Sequence, residues 1–260
     1  MSIFDQKVIK YEMKPLSSLE KVFPDETPVY RMECQMLSGL WGETVSFQVA
    51  YTGDFVMRER LDVRVVSELA EHVHVRTVEM VPVGRATNGI VDDNYLKTTS
   101  GLYPDLLKDL KDGKVIVYSR QWRSLWVDVD ITNEIPAGEY EIELQLIKEG
   151  EVVCSAKPKV TLIGTELPKL DIMHTEWMHA DCLADYYHVD VFSEEHWKIL
   201  ENYFKEYVKR GCNMMLTPLF TSPLDTAVGL ERTTTQLIKV EVVKGEYRFE
   251  FSELKRWIDL

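Results

Sequence analysis

A switch in hydrophobic period close to Thr165 constrains this chain more than any other feature. Upstream of it, apolar residues recur at every second position, the spacing of strands with one buried face. Val45, Phe47 and Val49 alternate with Ser46 and Gln48. Runs of the same kind cover 61–66, 72–80, 115–118, 125–129, 140–147 and 152–163, separated by Gly, Pro, Asn and Asp turns. Such a series predicts an antiparallel sandwich, with the Pro/Gly turn between Asn133 and Tyr140 as one of its corners. Between Gly84 and Gly113 the alternation lapses, and 103–110 reads as a short helix inside a long connection.

Downstream the period lengthens. Residues 170–174 read as a short buried strand, and Ser193-Glu-Glu opens a helix with a capping hydroxyl and acidic residues in its first turn. Trp197, Leu200, Phe204 and Val208 recur at helical spacing, and Lys209-Arg210-Gly211 supplies a basic last turn with a glycine stop. Residues 213–217 read as a second buried strand, 236–243 and 247–251 as a hairpin around Lys244-Gly245, and 252–260 as a helix with Leu254, Trp257 and Ile258 on one face. Strand, loop, helix, strand, loop, helix requires a parallel sheet. A closed eight-unit barrel takes roughly 250 residues, whereas about 95 follow Thr165. The expected fold is therefore multi-domain β plus α/β: an antiparallel β-sandwich over 1–165, then an incomplete (β/α) TIM-barrel-like segment over 166–260.

With 260 residues, 45% of them hydrophobic, both parts can build cores. The net charge of −13 arises from 43 acidic and 30 basic residues spread along the chain, which leaves no basic stripe for nucleic acid. The first seven residues carry no targeting pattern, and no stretch approaches the ~20 apolar residues of a membrane span. Cys34, Cys154, Cys182 and Cys212 lack C-x-x-C spacing, so free thiols and a cytoplasmic setting are expected.

The densest polar and aromatic cluster runs from His174 to His188, just after the first α/β strand, which in a barrel is the functional face. A second loop, from Thr217 to Thr226 and on to Glu231-Arg232, follows the next strand. Trp177, His179, Asp181, Asp225 and Arg232 are accordingly the candidate substrate-binding residues. A sugar suits them, because His, Asp and Arg can hydrogen-bond ring hydroxyls while an indole takes the apolar C–H face. The competing reading makes Trp177 and Tyr186 core and the carboxylates caps of turns and helix starts. His174, His179, Asp181, Asp185 and His188 are metal-ligand types, but their spacing matches no H-E-x-x-H signature, and neither a metal nor a cofactor is assigned. His72 and His74 read as a solvated strand face. No nucleophile elbow, Walker loop or dinucleotide fingerprint occurs.

Three stretches together resemble proteins related to glycoside hydrolase family 123: Trp177-Met-His179-Ala-Asp181-Cys-Leu-Ala-Asp185-Tyr-Tyr, Phe192-Ser-Glu-Glu-His-Trp197, and Met215-Leu-Thr-Pro-Leu-Phe-Thr-Ser-Pro-Leu-Asp225-Thr. The motif likeness covers 165–260; over the sandwich it rests on order and position. The resemblance implies a β-sandwich before a catalytic (β/α)₈ barrel, and retaining, substrate-assisted cleavage of terminal β-linked N-acetylgalactosamine. It also implies an adjacent Asp-Glu pair on a later barrel strand, Asp orienting the acetamido group and Glu acting as general acid. This sequence departs from that pattern, since its only adjacent Asp-Glu pair is Asp25-Glu26 in the sandwich, where a turn explains it. No catalytic residue is therefore assigned, and the leading expectation is an N-terminal part of such a glycosidase, inactive alone. The alternative is a non-catalytic carbohydrate-binding or scaffolding sandwich, motivated by Trp41, Trp122 and Trp126. The expected partners are a carbohydrate ligand and, through the open barrel edge, a second copy of the chain; nucleic acid and membrane are not expected.

Overall fold

The computed structural model describes residues 10–28, 36–55, 58–87, 89, 91–169, 171–221, 226 and 228–260. Cys34, Leu170 and Asp225 lie outside the described residues. The chain divides into two compact units, Met1–Leu167 and Pro168–Leu260. It is a mostly antiparallel β-sandwich, in which the strands Met36–Trp41 and Lys159–Glu166 pair parallel, followed by a partial α/β segment.

The described residues of the first unit hold twelve strands: β1 Lys10–Ser17, β2 Met36–Trp41, β3 Thr44–Asp54, β4 Glu59–Val66, β5 Val73–Val83, β6 Gly101–Asp109, β7 Lys114–Val117, β8 Arg123–Asp130, β9 Gly138–Glu141, β10 Glu143–Lys148, β11 Glu151–Ala156 and β12 Lys159–Glu166. One sheet runs β1-β3-β8-β5-β6, a second β11-β10-β4-β7, and a third β2-β12-β9. The second and third sheets share one bent hairpin. The expected single strands 140–147 and 152–163 each break in two, at Ile142 and at Lys157-Pro158, and the Ile142 N–H donates to the Pro158 carbonyl at 2.9 Å across the bend. Proline cannot donate to the ladder, so the strand changes sheet where Pro158 sits. Gly39 allows β2 to come this close: a Cβ there would lie 2.4 Å from Ile131 and 2.5 Å from Val45.

Phe47, Val49, Leu125, Val127, Leu144, Leu146 and Val160 belong to one continuous core between the sheets. The opposite face of β3 is covered too. Gln48 is buried there, donating to the carbonyls of Ser17 at 3.3 Å, Ser18 at 3.2 Å and Glu20 at 2.7 Å, and accepting from the Ser124 hydroxyl at 2.9 Å. Leu16, Val22, Ala50 and Trp122 close a small second core on the same side.

The short helix expected over 103–110 is instead the edge strand β6, paired antiparallel with β5. Pro104 is tolerated because an edge strand has one unpaired side, and the register shifts next to it, between Glu79 and Met80 on β5. Asp25 and Glu26 lie at a turn and share Lys97, at 3.1 and 2.7 Å, which also sits 4.0 Å from the Phe23 ring centroid. His74 lies on an exposed strand face, 3.2 Å from Asp130. Trp122 is core, while Trp41 and Trp126 spend their indole N–H groups on the Ile135 carbonyl at 2.9 Å and on Asp128 at 2.7 Å. Trp122 is buried, and Trp41 and Trp126 are half-buried.

The second unit contains α1 Ala180–Tyr187, α2 Glu194–Lys209, the hairpin strands β13 Lys239–Val243 and β14 Glu246–Glu250, and α3 Ser252–Asp259. Ser193 caps α2 by accepting the His196 N–H at 3.2 Å, and Gly211 ends it at φ 84°. Trp197 and Leu200 from α2 pack with Ala180, Leu237 and Trp257. Val208 and Ile258, expected on the buried faces, are exposed instead. The hairpin turns through Lys244 and Gly245, both at positive φ, as a two-residue hairpin loop demands. Of the two strands expected over 170–174 and 213–217, the described residues 171–174 and 213–217 form neither. They run as neighbouring irregular segments joined through Asn213, whose side chain accepts the His174 N–H and donates to the Ile172 carbonyl, both at 2.8 Å. A buried parallel strand needs a partner on each side, and Ile172, Met173 and Met214 are exposed. No described helix is long and apolar enough to cross a membrane.

Replacing Gln48 by the isosteric Met strands three carbonyls and a hydroxyl inside the fold. Urea denaturation should show a loss of about 2–3 kcal/mol, with the transition slope unchanged.

Candidate functional site

The irregular segment that ends at His179 turns directly into α1. Asp181 therefore falls in the first helical turn, where a carboxylate faces the positive end of the helix dipole. It is buried, and Arg232 grips it with both arms: Nε donates to Oδ2 at 2.6 Å and Nη2 to Oδ1 at 3.0 Å. The side chains retain only 6% and 10% of their exposure, so the pair is a desolvated fork rather than a surface contact. One residue on, the Thr233 hydroxyl donates to Asp185 Oδ1 at 2.9 Å, tying the same loop to the next turn of α1.

His196 fixes α1 from below. Its Nδ1 accepts the Phe192 N–H at 2.9 Å and its Nε2 lies 3.0 Å from the Ala180 carbonyl, which assigns the neutral Nε2–H tautomer. Burial pushes its pKa below the ordinary histidine value, with the Ala180 hydrogen bond opposing. Tyr207 of α2 anchors the entering segment, accepting the Glu176 N–H and donating to the Glu176 carbonyl.

These constraints frame a small pocket of about 210 Å³. Trp177, His179, Asp181 and Arg232 all line it, together with Phe220. Trp177 is 68% exposed and Phe220 56%, so the rim offers two aromatic faces to solvent. Tyr186 is exposed as well, and the reading of Trp177 and Tyr186 as core does not hold. Asp181 does occupy a helix start, but its carboxylate is engaged by Arg232, so the two residues form a wall of the pocket as a unit. Asp225 lies outside the described residues. Phe220 was missed among the candidates; the signal was there, an aromatic residue between Leu219 and Thr221 in the loop that carries Pro218. Helix α1 was missed because Asp181, Cys182 and Asp185 made the stretch look like a polar loop. Among the described residues no group of three or more His, Cys, Asp or Glu side chains could hold a metal ion.

Fold and site together describe a β-sandwich followed by a partial α/β segment that carries a small aromatic-rimmed, charge-walled pocket. Residues 177–260, the stretch containing that pocket, match the catalytic domain of glycoside hydrolase 123. A family 123 glycoside hydrolase from Clostridium perfringens, studied for the details of glycolipid glycan hydrolysis, superimposes with a TM-score of 0.68 at 14% identity, over 96% of this chain and 45% of its own. The chain thus resembles family 123 proteins in fold and spans less than half the length of that structure. A β-glucosidase from Listeria innocua (TM-score 0.28, 10% identity, 62% of this chain and 17% of its own) and CaCohA2 from Clostridium acetobutylicum (0.23, 13%, 50% and 87%) are too distant to argue from. No curated protein matches the sequence.

Removing one member of the fork leaves a buried charge alone. Arg232→Met or Asp181→Leu should each cost about 3–5 kcal/mol, while the double variant should recover most of that loss; a double-mutant cycle on chemical denaturation checks this. Histidine 196 gives a pH signature. Because its folded pKa is lowered, the unfolded chain takes up the proton first, so its contribution is complete above about pH 6.5 and is lost as the pH falls below that value. His196→Gln should remove this part of the slope in a series of urea midpoints from pH 8 to 5.

Proposed function

We propose that this chain is the N-terminal part of a family 123-type glycoside hydrolase, and that the pocket beside Trp177 contributes to a sugar subsite. The carrying observation is that the matched stretch contains a pocket of one-ring size with two exposed aromatic faces and the Asp181–Arg232 fork in its wall. It is smaller than the ~300–1,000 Å³ of pockets for drug-sized ligands. Trp177 stacks on the C–H face of the ring, and His179 hydrogen-bonds a hydroxyl. The fork holds α1 against the 232–233 loop, which keeps the wall from opening when a ligand pushes on it.

The chemistry implied by the resemblance is substrate-assisted hydrolysis of a terminal β-N-acetylgalactosaminide. Residues 166–260 contain no adjacent Asp-Glu pair, and Asp25-Glu26 in the sandwich is tied to Lys97. On this reading the 260 residues bind a sugar weakly and do not hydrolyse it. The exposed apolar side chains of Ile172, Met173 and Met214 further support self-association through these two irregular segments.

Two measurements test the reading. A chromogenic β-N-acetylgalactosaminide should give no turnover above a heat-killed control, and turnover would refute the inactivity. Titration with N-acetylgalactosamine, followed by amide chemical shifts, should perturb 177–181 and 217–220. Trp177→Ala should weaken that binding by about tenfold, in line with ~1.4 kcal/mol for a lost stacking contact.

A further inference from the structure

A second cavity, of about 780 Å³, lies within the sandwich unit between β5–β6 of one sheet and β4–β7 of the other. Six cationic side chains line it against three carboxylates, in a chain whose net charge is −13. Several cations elsewhere in the sandwich have acidic neighbours: Lys97 with Asp25 and Glu26, Arg120 with Asp54, Lys157 with Glu141 and Glu143, Lys159 with Glu139. In the cleft only Arg60 and Lys114 are so matched, to Asp112 and Asp62. Arg58, Lys108 and Lys111 have no carboxylate partner among the described residues.

Arg123 is the most telling. Its guanidinium rests on the Tyr118 ring, 5.1 Å from the centroid, and Nη2 reaches Gln121 at 3.1 Å. Nη1 is shut off from solvent with no hydrogen-bond partner among the described residues. A guanidinium N–H group shut off from solvent without an acceptor is costly to hold. Surplus cations between two low-dielectric sheets focus a field that draws an anion in.

The cavity also constrains the rest of the ligand. It lies within the ~300–1,000 Å³ of organic-ligand sites, far more than one oxyanion fills. Glu79 and Asp109 on its wall are acceptors for hydroxyl donors. Cations beside carboxylates match a molecule that carries both an acidic group and several hydroxyls. We infer that this cleft binds an acidic saccharide, its sulfate or carboxylate held by Arg123, Arg58, Lys108 and Lys111 and its hydroxyls by Glu79 and Asp109. The anionic half of the assignment rests on the cleft alone; the saccharide half draws also on the glycan reading above.

The test is a calorimetric titration of the full chain with lactose 3′-sulfate, lactose and sodium sulfate at one fixed ionic strength. Lactose 3′-sulfate should bind at least tenfold more tightly than either of the others. Lys108→Glu/Lys111→Glu should weaken it at least tenfold, with an unchanged thermal midpoint because both side chains are exposed. Should that pair unfold, the exposed Arg58→Glu gives the same reading with a smaller loss. Equal binding of sodium sulfate and lactose 3′-sulfate would overturn the saccharide assignment. No preference for lactose 3′-sulfate over lactose, or no loss in the charge-reversed variants, would overturn the anionic one. N-acetylgalactosamine titrated into Lys108→Glu/Lys111→Glu keeps the two sites apart, since retained binding at the Trp177 pocket leaves that reading standing whatever the cleft does.

Discussion

Arg232 and Asp181, almost wholly withdrawn from water, hold each other by two charge-assisted hydrogen bonds across 51 residues of sequence. Everything near the pocket depends on that pairing. It fixes where α1 begins, it brings the 232–233 loop against the helix, and it places His179 and Trp177 at the rim. The same constraint recurs wherever this chain buries a polar group. Gln48 satisfies three carbonyls and a hydroxyl, and His196 joins Phe192 to Ala180. Each such group would be expensive alone and is inexpensive with its partner. Segments that lack a regular ladder are likewise held by side chains, 18–20 by Gln48 and 172–176 by Asn213 and Tyr207.

The sandwich was legible in the sequence because its strands have one wet face, and alternation records that directly. Where alternation failed, a different force had decided. Tyr103, Leu106, Leu107 and Leu110 carry helical spacing, yet 101–109 is a strand because pairing with β5 satisfies its backbone, and Leu102 and Leu106 stay exposed. Local period loses to a waiting sheet edge when the segment is short. The break at Pro158 was also visible, since proline ends a ladder, but that the strand continues in another sheet is a tertiary fact.

In the second unit the helices were readable from caps, and the strands were not. Ser193, the 197/200/204 stripe and Gly211 mark α2 by local chemistry alone. A short apolar run such as 213–217 reads as a buried strand only on the premise that neighbours exist to bury it. Here the neighbour is one irregular segment, pinned by Asn213, and the apolar side chains stay wet. The pocket was partly legible: Trp177, His179, Asp181 and Arg232 converge. That Asp181 and Arg232 would neutralise one another was not, because mutual engagement depends on a distance no spacing rule encodes.

The two cavities differ in how they treat charge, and that difference separates what each can recognise. Around the Trp177 pocket the cation is matched by a carboxylate, so little net field remains and recognition falls to the aromatic faces and to shape. In the sandwich cleft the cations outnumber the carboxylates, and Arg123 keeps an unpaired donor out of water. A neutral ring suits the first, because stacking and hydroxyl contacts lose little to solvent screening. An anion suits the second, because the attractions of several cations add. Lys108 and Lys111, both exposed, stand in that cleft without a carboxylate partner among the described residues.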